Sequence, residues 1–125
     1  MDALSEILKS MTIVHASVGT LTLSQPWGMA LRGFEPHTAY GVASGEPCWF
    51  RVPDREAIRL DIGDMMLIRG EHQLLSSPDT LIEDFGTAWA ANGFPSFEPS
   101  QEPARPLHFT WGGGGPRTRL LGLAF

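Results

Sequence analysis

Between Gln25 and Leu75 the chain meets a proline or a glycine every few residues, and this spacing limits the fold more than any other feature. Proline lacks the backbone N–H that a helix needs, and an interior glycine costs a helix about 1 kcal/mol relative to alanine. The stretches between these breakers are short and rich in aliphatic and aromatic residues. The pattern predicts many short strands joined by turns, which is typical of a β-sandwich or β-barrel.

The sequence on either side extends the strand pattern. Apolar and polar residues alternate from 13 to 24, and strand-like runs return at 107–111 and 118–125. The last run ends on the apolar residue Phe125 with no polar closing segment. We therefore expect a domain cut from a longer chain, with a small protein whose last strand lies inside the barrel as the alternative.

Two short helices are expected among the strands. Over residues 1–11, Asp2 can cap a helix whose apolar residues share one face. In the 78–92 region, Asp79 can cap a second amphipathic helix, which Gly86 weakens. The predicted fold class is therefore all-β with these two helical additions.

Length and charge narrow the function. A chain of 125 residues has room for one core and is expected to be a single domain. Nine Lys and Arg against 14 Asp and Glu give a net charge of −5, which argues against nucleic-acid binding by this chain.

Cys48 has no cysteine partner, and we expect it to be a small buried apolar residue. The sequence lacks a signal peptide or an apolar run of membrane-spanning length, which predicts a cytoplasmic protein with no membrane partner.

Four segments carry a recognisable pattern. They are Pro-Trp-Gly at 26–28, an apolar run followed by Gly and then Cys-Trp at 42–50, a Gly-Asp turn and apolar run within 60–72, and four glycines at 112–115. In this order and spacing they resemble the cupin-type N-terminal ligand-binding domain of AraC-family transcriptional regulators. The resemblance covers nearly the whole chain and implies a double-stranded β-helix, or jelly-roll, barrel.

The resemblance raises the question of a metal. Many cupin enzymes bind one through two histidines separated by one residue, a nearby glutamate and a third histidine. Here Ala39 stands two residues after His37, Ser44 stands where the glutamate would be, and His72 matches. A catalytic metal takes about three protein ligands, so we predict no metal cofactor. If a divalent metal is bound, His72 and His37 are the candidate ligands. A site formed by another combination of the histidines at 15, 37, 72 and 108, outside the family motif, is the alternative.

Tyr40 and His72 are the predicted polar groups of a ligand cavity, because the family often has a histidine where Tyr40 stands. Trp27 and Trp49 complete the tentative ligand-binding set, since small-molecule sites are mostly apolar. Core packing is the alternative for Trp49, and packing or a rim position is equally expected for Trp27. The aromatic candidates for the wall of a ligand pocket are Trp27, Trp49, Phe50, Trp89, Phe109 and Trp111.

The resemblance implies a sensor rather than an enzyme. Residues 1–125 would form the effector-binding and homodimer-forming domain of an AraC-like regulator, with DNA bound only by a helix-turn-helix domain that follows Phe125. No catalytic residue is predicted, because no Gly-x-Ser-x-Gly motif occurs and the paired carboxylates at 83–84 fit a solvated turn. The alternatives are a stand-alone metal-dependent cupin enzyme, an isomerase or dioxygenase, and a degenerate barrel used only for dimerisation.

Overall fold

A computed structural model of the chain describes residues 17–32, 37–93 and 107–124. The helix predicted over residues 1–11 and the end of the chain at Phe125 lie outside these residues. The strands are β1 (Ser17–Ser24), β2 (Gly28–Leu31), β3 (His37–Gly45), β4 (Cys48–Arg51), β5 (Ile58–Leu60), β6 (Met65–Arg69), β7 (His72–Leu75), β8 (Glu83–Asp84), β9 (Leu107–Gly112) and β10 (Arg117–Ala124), and the helix α1 covers Phe85–Ala91.

The strands form two five-stranded sheets. The order is β6-β3-β10-β1-β9 in the first sheet and β5-β4-β7-β2-β8 in the second. Neighbours are antiparallel except for the β1–β9 and β2–β8 pairs, which are parallel. The chain crosses repeatedly from one sheet to the other, and this crossing pattern confirms the predicted all-β jelly-roll.

The core lies between the sheets, where the period-two alternation places apolar side chains. In β1, Leu21 and Leu23 are buried, and in β6 Met66 and Ile68 pack on the core while Leu67 faces outwards. Cys48 is fully buried, as expected, and its burial raises the pKa of the thiol to about 12. The buried cluster comprises Leu21, Leu23, Trp27, Met29, Leu31, Tyr40, Val42, Cys48, Phe50, Leu60, Leu74, Ala88, Phe109 and Leu120.

The glycine-rich turn before β10 is held tightly against the end of β1. Gly112 has a φ of 132°, and a side chain there would overlap the carbonyl oxygen of Ser24. The N–H of Gly113 donates to that same oxygen at 2.9 Å, and the N–H of Gly115 donates to the carbonyl of Gln25 at 2.7 Å. The run of glycines therefore makes a sharp connection between β9 and β10.

The helix in the 78–92 region begins later than the sequence analysis predicts. Asp84, and not Asp79, is its N-cap, and the Asp84 carboxylate accepts from the N–H of Gly86 at 3.0 Å. The preceding segment is packed flat on β2, where a side chain at Gly28 would overlap the carbonyl of Leu81. Residues 81–82 are not helical and Glu83–Asp84 pair with β2, so the helix starts only after them. Over the described residues, no helix has the length and apolar character needed to cross a bilayer.

Asn92 joins α1 to β9. Its backbone N–H donates to carbonyls of the last helical turn, and its side-chain amide donates to the carbonyl of Ala88 at 3.0 Å. The same amide donates to the carbonyl of Thr110 at 2.9 Å and accepts from the N–H of Thr110 at 3.0 Å. One side chain thus pairs with a strand residue as a neighbouring strand would, and holds the helix against the first sheet.

Replacing Asn92 should therefore loosen this end of the molecule. Asn92→Ala removes three side-chain hydrogen bonds and should lower the free energy of unfolding by about 1–2 kcal/mol, measured by chemical denaturation. Thr87→Ala is the matched control, because Thr87 is an exposed residue of the same helix. Its effect should stay within about 0.5 kcal/mol. Equal effects of the two substitutions would show that the amide contributes nothing.

Candidate functional site

The structure brings Tyr40 of β3 and His72 of β7 together across the core. The Tyr40 hydroxyl oxygen lies 2.8 Å from Nε2 of His72, and both residues are buried. Because β3 belongs to the first sheet and β7 to the second, this contact spans the two sheets. Two of the residues predicted for the site are therefore direct partners.

The direction of each hydrogen bond follows from the carbonyl of Gly70. That oxygen lies 2.8 Å from Nδ1 of His72, and a carbonyl can only accept, so Nδ1 carries the hydrogen. In a neutral ring Nε2 is then an acceptor, and the Tyr40 hydroxyl donates to it. Tyr40, His72 and Gly70 form one chain of hydrogen bonds with a fixed direction.

Burial keeps both side chains uncharged. It lowers the pKa of His72, an effect that the bond to the Gly70 carbonyl opposes but does not cancel. Burial also raises the pKa of Tyr40 above its ordinary value. Phe50 stacks on the His72 ring at a centroid distance of 5.6 Å, which adds apolar surroundings. The pair is therefore neutral near pH 7.

A cavity of about 80 Å³ lies beside Tyr40, between the first sheet and α1. Its wall includes three aromatic residues that contact one another: Phe85 lies 5.7 Å from Trp89 and 5.5 Å from Phe109, centroid to centroid. None of the lining residues that the structure describes is charged. The lining comprises Val18, Gly19, Thr20, Leu21, Leu31, Thr38, Tyr40, Phe85, Trp89, Leu107, Phe109, Gly122, Leu123 and Ala124.

Trp27 and Trp49 do not join this cavity. Trp27 is packed in the core, with its backbone N–H bonded to the hydroxyl of Ser76 at 3.0 Å, and it borders a separate groove of about 270 Å³ that also contains Trp111. Trp49 is half-buried and lies on the opposite face of β4 from Phe50, outside the core. The four residues of the tentative set are therefore spread over three places in the fold.

The described residues do not fit a three-ligand metal site. His37 is exposed at the start of β3, and strand alternation places it on the face opposite Tyr40, so it does not approach the His72 ring. Both ring nitrogens of His72 already have hydrogen-bond partners. Over residues 17–32, 37–93 and 107–124, no group of three His, Cys, Asp or Glu side chains comes close enough to hold a metal.

The two-sheet topology agrees with a comparison of the chain with protein families, in which a family model described as Cupin matches residues 2–125. The chain belongs to the cupin family. No curated protein and no solved structure matches this cupin.

The sequence indicates only some of the residues around the cupin cavity. Trp89 and Phe109 were among the aromatic candidates, but Phe85 was missed as a lining residue. Its signal was available, because Phe85 and Trp89 stand four residues apart and so share one face of a helix that begins at Asp84. The contribution of Gly122 had no such signal, since it depends on the pairing of β10 with β1 and β3.

The effects of removing Tyr40 and His72 should be coupled and not additive. Tyr40→Phe leaves Nε2 of His72 buried without a donor, and should lower the free energy of unfolding by about 1–3 kcal/mol. The double variant Tyr40→Phe/His72→Leu should lose less than the sum of the two single variants, by about 1 kcal/mol or more. Chemical denaturation of wild type, Tyr40→Phe, His72→Leu and the double variant measures this coupling. Strict additivity would show that the hydrogen bond is energetically neutral.

The same pair predicts a pH dependence. The unfolded chain protonates His72 near its ordinary pKa of 6.5, whereas the folded chain does so only at lower pH. Between these values the unfolded state binds more protons, so the free energy of unfolding rises with pH, and this contribution is lost as pH falls through 6.5. Denaturation at several pH values should show that the free energy of unfolding depends less steeply on pH in Tyr40→Phe/His72→Leu than in wild type. A double variant with the wild-type dependence would contradict the assignment.

Proposed function

We propose that this cupin is the effector-binding domain of an AraC-like transcriptional regulator and binds a small molecule in its barrel without catalysis. The observation that supports this most directly is the apolar cavity beside Tyr40, whose wall is drawn from the first sheet, from Leu31 of the second sheet and from α1. A concave, mostly apolar site of this kind is typical of small-molecule binding.

The arrangement of His72 supports binding rather than metal-dependent catalysis. A metal ligand must offer a free lone pair on an unprotonated nitrogen. Nδ1 of His72 carries the hydrogen that it donates to Gly70, and the lone pair of Nε2 accepts from Tyr40. The cavity itself is lined by uncharged side chains, so it offers no carboxylate for acid or base chemistry among the described residues. Tyr40 lines the cavity, and His72, which borders a separate pocket, holds the Tyr40 hydroxyl.

The regulatory mechanism is a shift in population between two arrangements of the domain. An effector that binds one arrangement more tightly than the other favours it by the difference in binding free energy. Phe85 and Trp89 carry the cavity wall on α1, and Asn92 connects α1 to β9. A bound effector therefore acts on the contact between the helix and the first sheet. In the regulator, homodimer formation and a helix-turn-helix domain after residue 125 transmit that change to DNA in the cytoplasm.

Metal content tests the non-catalytic assignment. Plasma mass spectrometry of untagged protein purified without chelator should find no stoichiometric metal in wild type. It should find the same trace content in His72→Ala and in the control His108→Ala. Stoichiometric metal that disappears in His72→Ala and remains in His108→Ala would overturn the proposal in favour of a metal-dependent cupin enzyme.

The coding sequence tests the regulatory assignment separately. A reading frame that continues after codon 125 into two helix-turn-helix units supports a sensor domain. A stop codon at that point contradicts it, whatever the metal content.

A further inference from the structure

The cavity beside Tyr40 also constrains the chemistry of its ligand. We infer that this ligand is a small neutral molecule, a single aromatic ring or a short branched alkyl group, and that ionised molecules are rejected. The inference rests on the proposed function, because it concerns the same cavity. It follows from three features: the composition of the wall, the use of the polar groups near it, and its size.

Among the described lining residues, no side chain offers a charge to balance an ion. Threonine and tyrosine are the polar residue types among these 14 residues, and none is acidic or basic. Moving an ionised carboxylate or ammonium group from water into such surroundings costs several kcal/mol unless a partner of opposite charge compensates. Within the described part of the wall, that partner is missing for either sign of charge.

The hydroxyl of Tyr40, one of the polar residues of the wall, is already engaged. The hydroxyl hydrogen of Tyr40 is directed at Nε2 of His72 and is therefore not offered to a ligand. A carboxylate, which can only accept hydrogen bonds, finds no donor in this hydroxyl. Breaking the Tyr40–His72 bond to provide one would leave His72 buried without its partner.

Size sets the upper limit. An apolar cavity of roughly 150 Å³ is known to bind benzene, and the cavity here is about 80 Å³. The cavity is partly open to solvent, so a single ring binds either with part of its edge at the opening or with Phe85 and Trp89, both on the seven-residue helix α1, displaced outwards. Binding should consequently change the surroundings of Trp89, the cavity's tryptophan among the described lining residues.

Three probes of the same shape and different charge test the inference: toluene, benzoate and benzylammonium at pH 7. Calorimetry should show toluene binding at least roughly tenfold tighter than either ion, a difference of about 1.4 kcal/mol. Toluene should also change tryptophan fluorescence, and that change should be absent in Trp89→Phe.

Two variants locate the binding. Gly122→Ala places a methyl group in the cavity, where it would meet the flexible end of Leu21 at 3.1 Å, and Ala124→Leu fills the cavity from the end of β10. Both should weaken toluene binding. Gly41→Ala is the matched control, because Gly41 lies on the neighbouring strand β3, outside the cavity, and has room for a methyl group. It should leave binding unchanged.

The outcomes separate the ligand class from the function. If benzoate or benzylammonium binds as tightly as toluene and Gly122→Ala weakens it, the inferred class is wrong while small-molecule binding in the cavity stands. If no probe binds, or if Gly122→Ala and Ala124→Leu affect binding no more than Gly41→Ala, both the ligand class and the proposed effector site fail.

Discussion

A histidine inside an apolar core is stable only when both ring nitrogens have partners, and this requirement governs the interior of this cupin. His72 is fully buried, and an unmet hydrogen bond there would cost about 1–3 kcal/mol. The carbonyl of Gly70, in the turn before β7, engages one nitrogen, and Tyr40 from the opposite sheet engages the other. Gly70 has a φ of 95°, a conformation that glycine adopts without strain. A local turn and a long-range sheet contact thus meet at one ring and tie the two sheets together.

The rest of the interior is mostly apolar, and this pair meets its own hydrogen-bonding needs within it. In many cupin enzymes a histidine at the His72 position contributes to a metal site, whereas here its imidazole is a structural acceptor for a tyrosine. Under the proposed function, the interior would discriminate between ligands through shape and desolvation. The aromatic contacts of Phe85, Trp89 and Phe109 would supply the surface for that discrimination.

Local signals in the sequence predicted the strands well, and long-range contacts account for what it missed. The Pro and Gly breakers marked most of the strands, and Gly63 has the positive φ that its Gly-Asp turn predicts. The helix starts directly after its N-cap Asp84, and this start depends on the packing of β2, which is distant in the chain, against Leu81. For the same reason Trp49 lies on the outer face of its strand, since the register with β7 decides which face is inside. The role of Asn92 depends on meeting Thr110, 18 residues away in the chain, and no local pattern encodes such a meeting.

The position of Asn92 also bears on how copies of the protein behave towards one another. An edge strand with free backbone groups invites strands from other molecules to add to the sheet. In this cupin the middle of β9 has its N–H and C=O at Thr110 occupied by the Asn92 amide. A second molecule can add a strand there only by displacing that amide and releasing α1, which carries part of the cavity wall. The Asn92 side chain, which fixes α1 beside the cavity, therefore also protects the edge of β9 from strand addition, so changes in the cavity wall and a tendency to aggregate are expected to arise together.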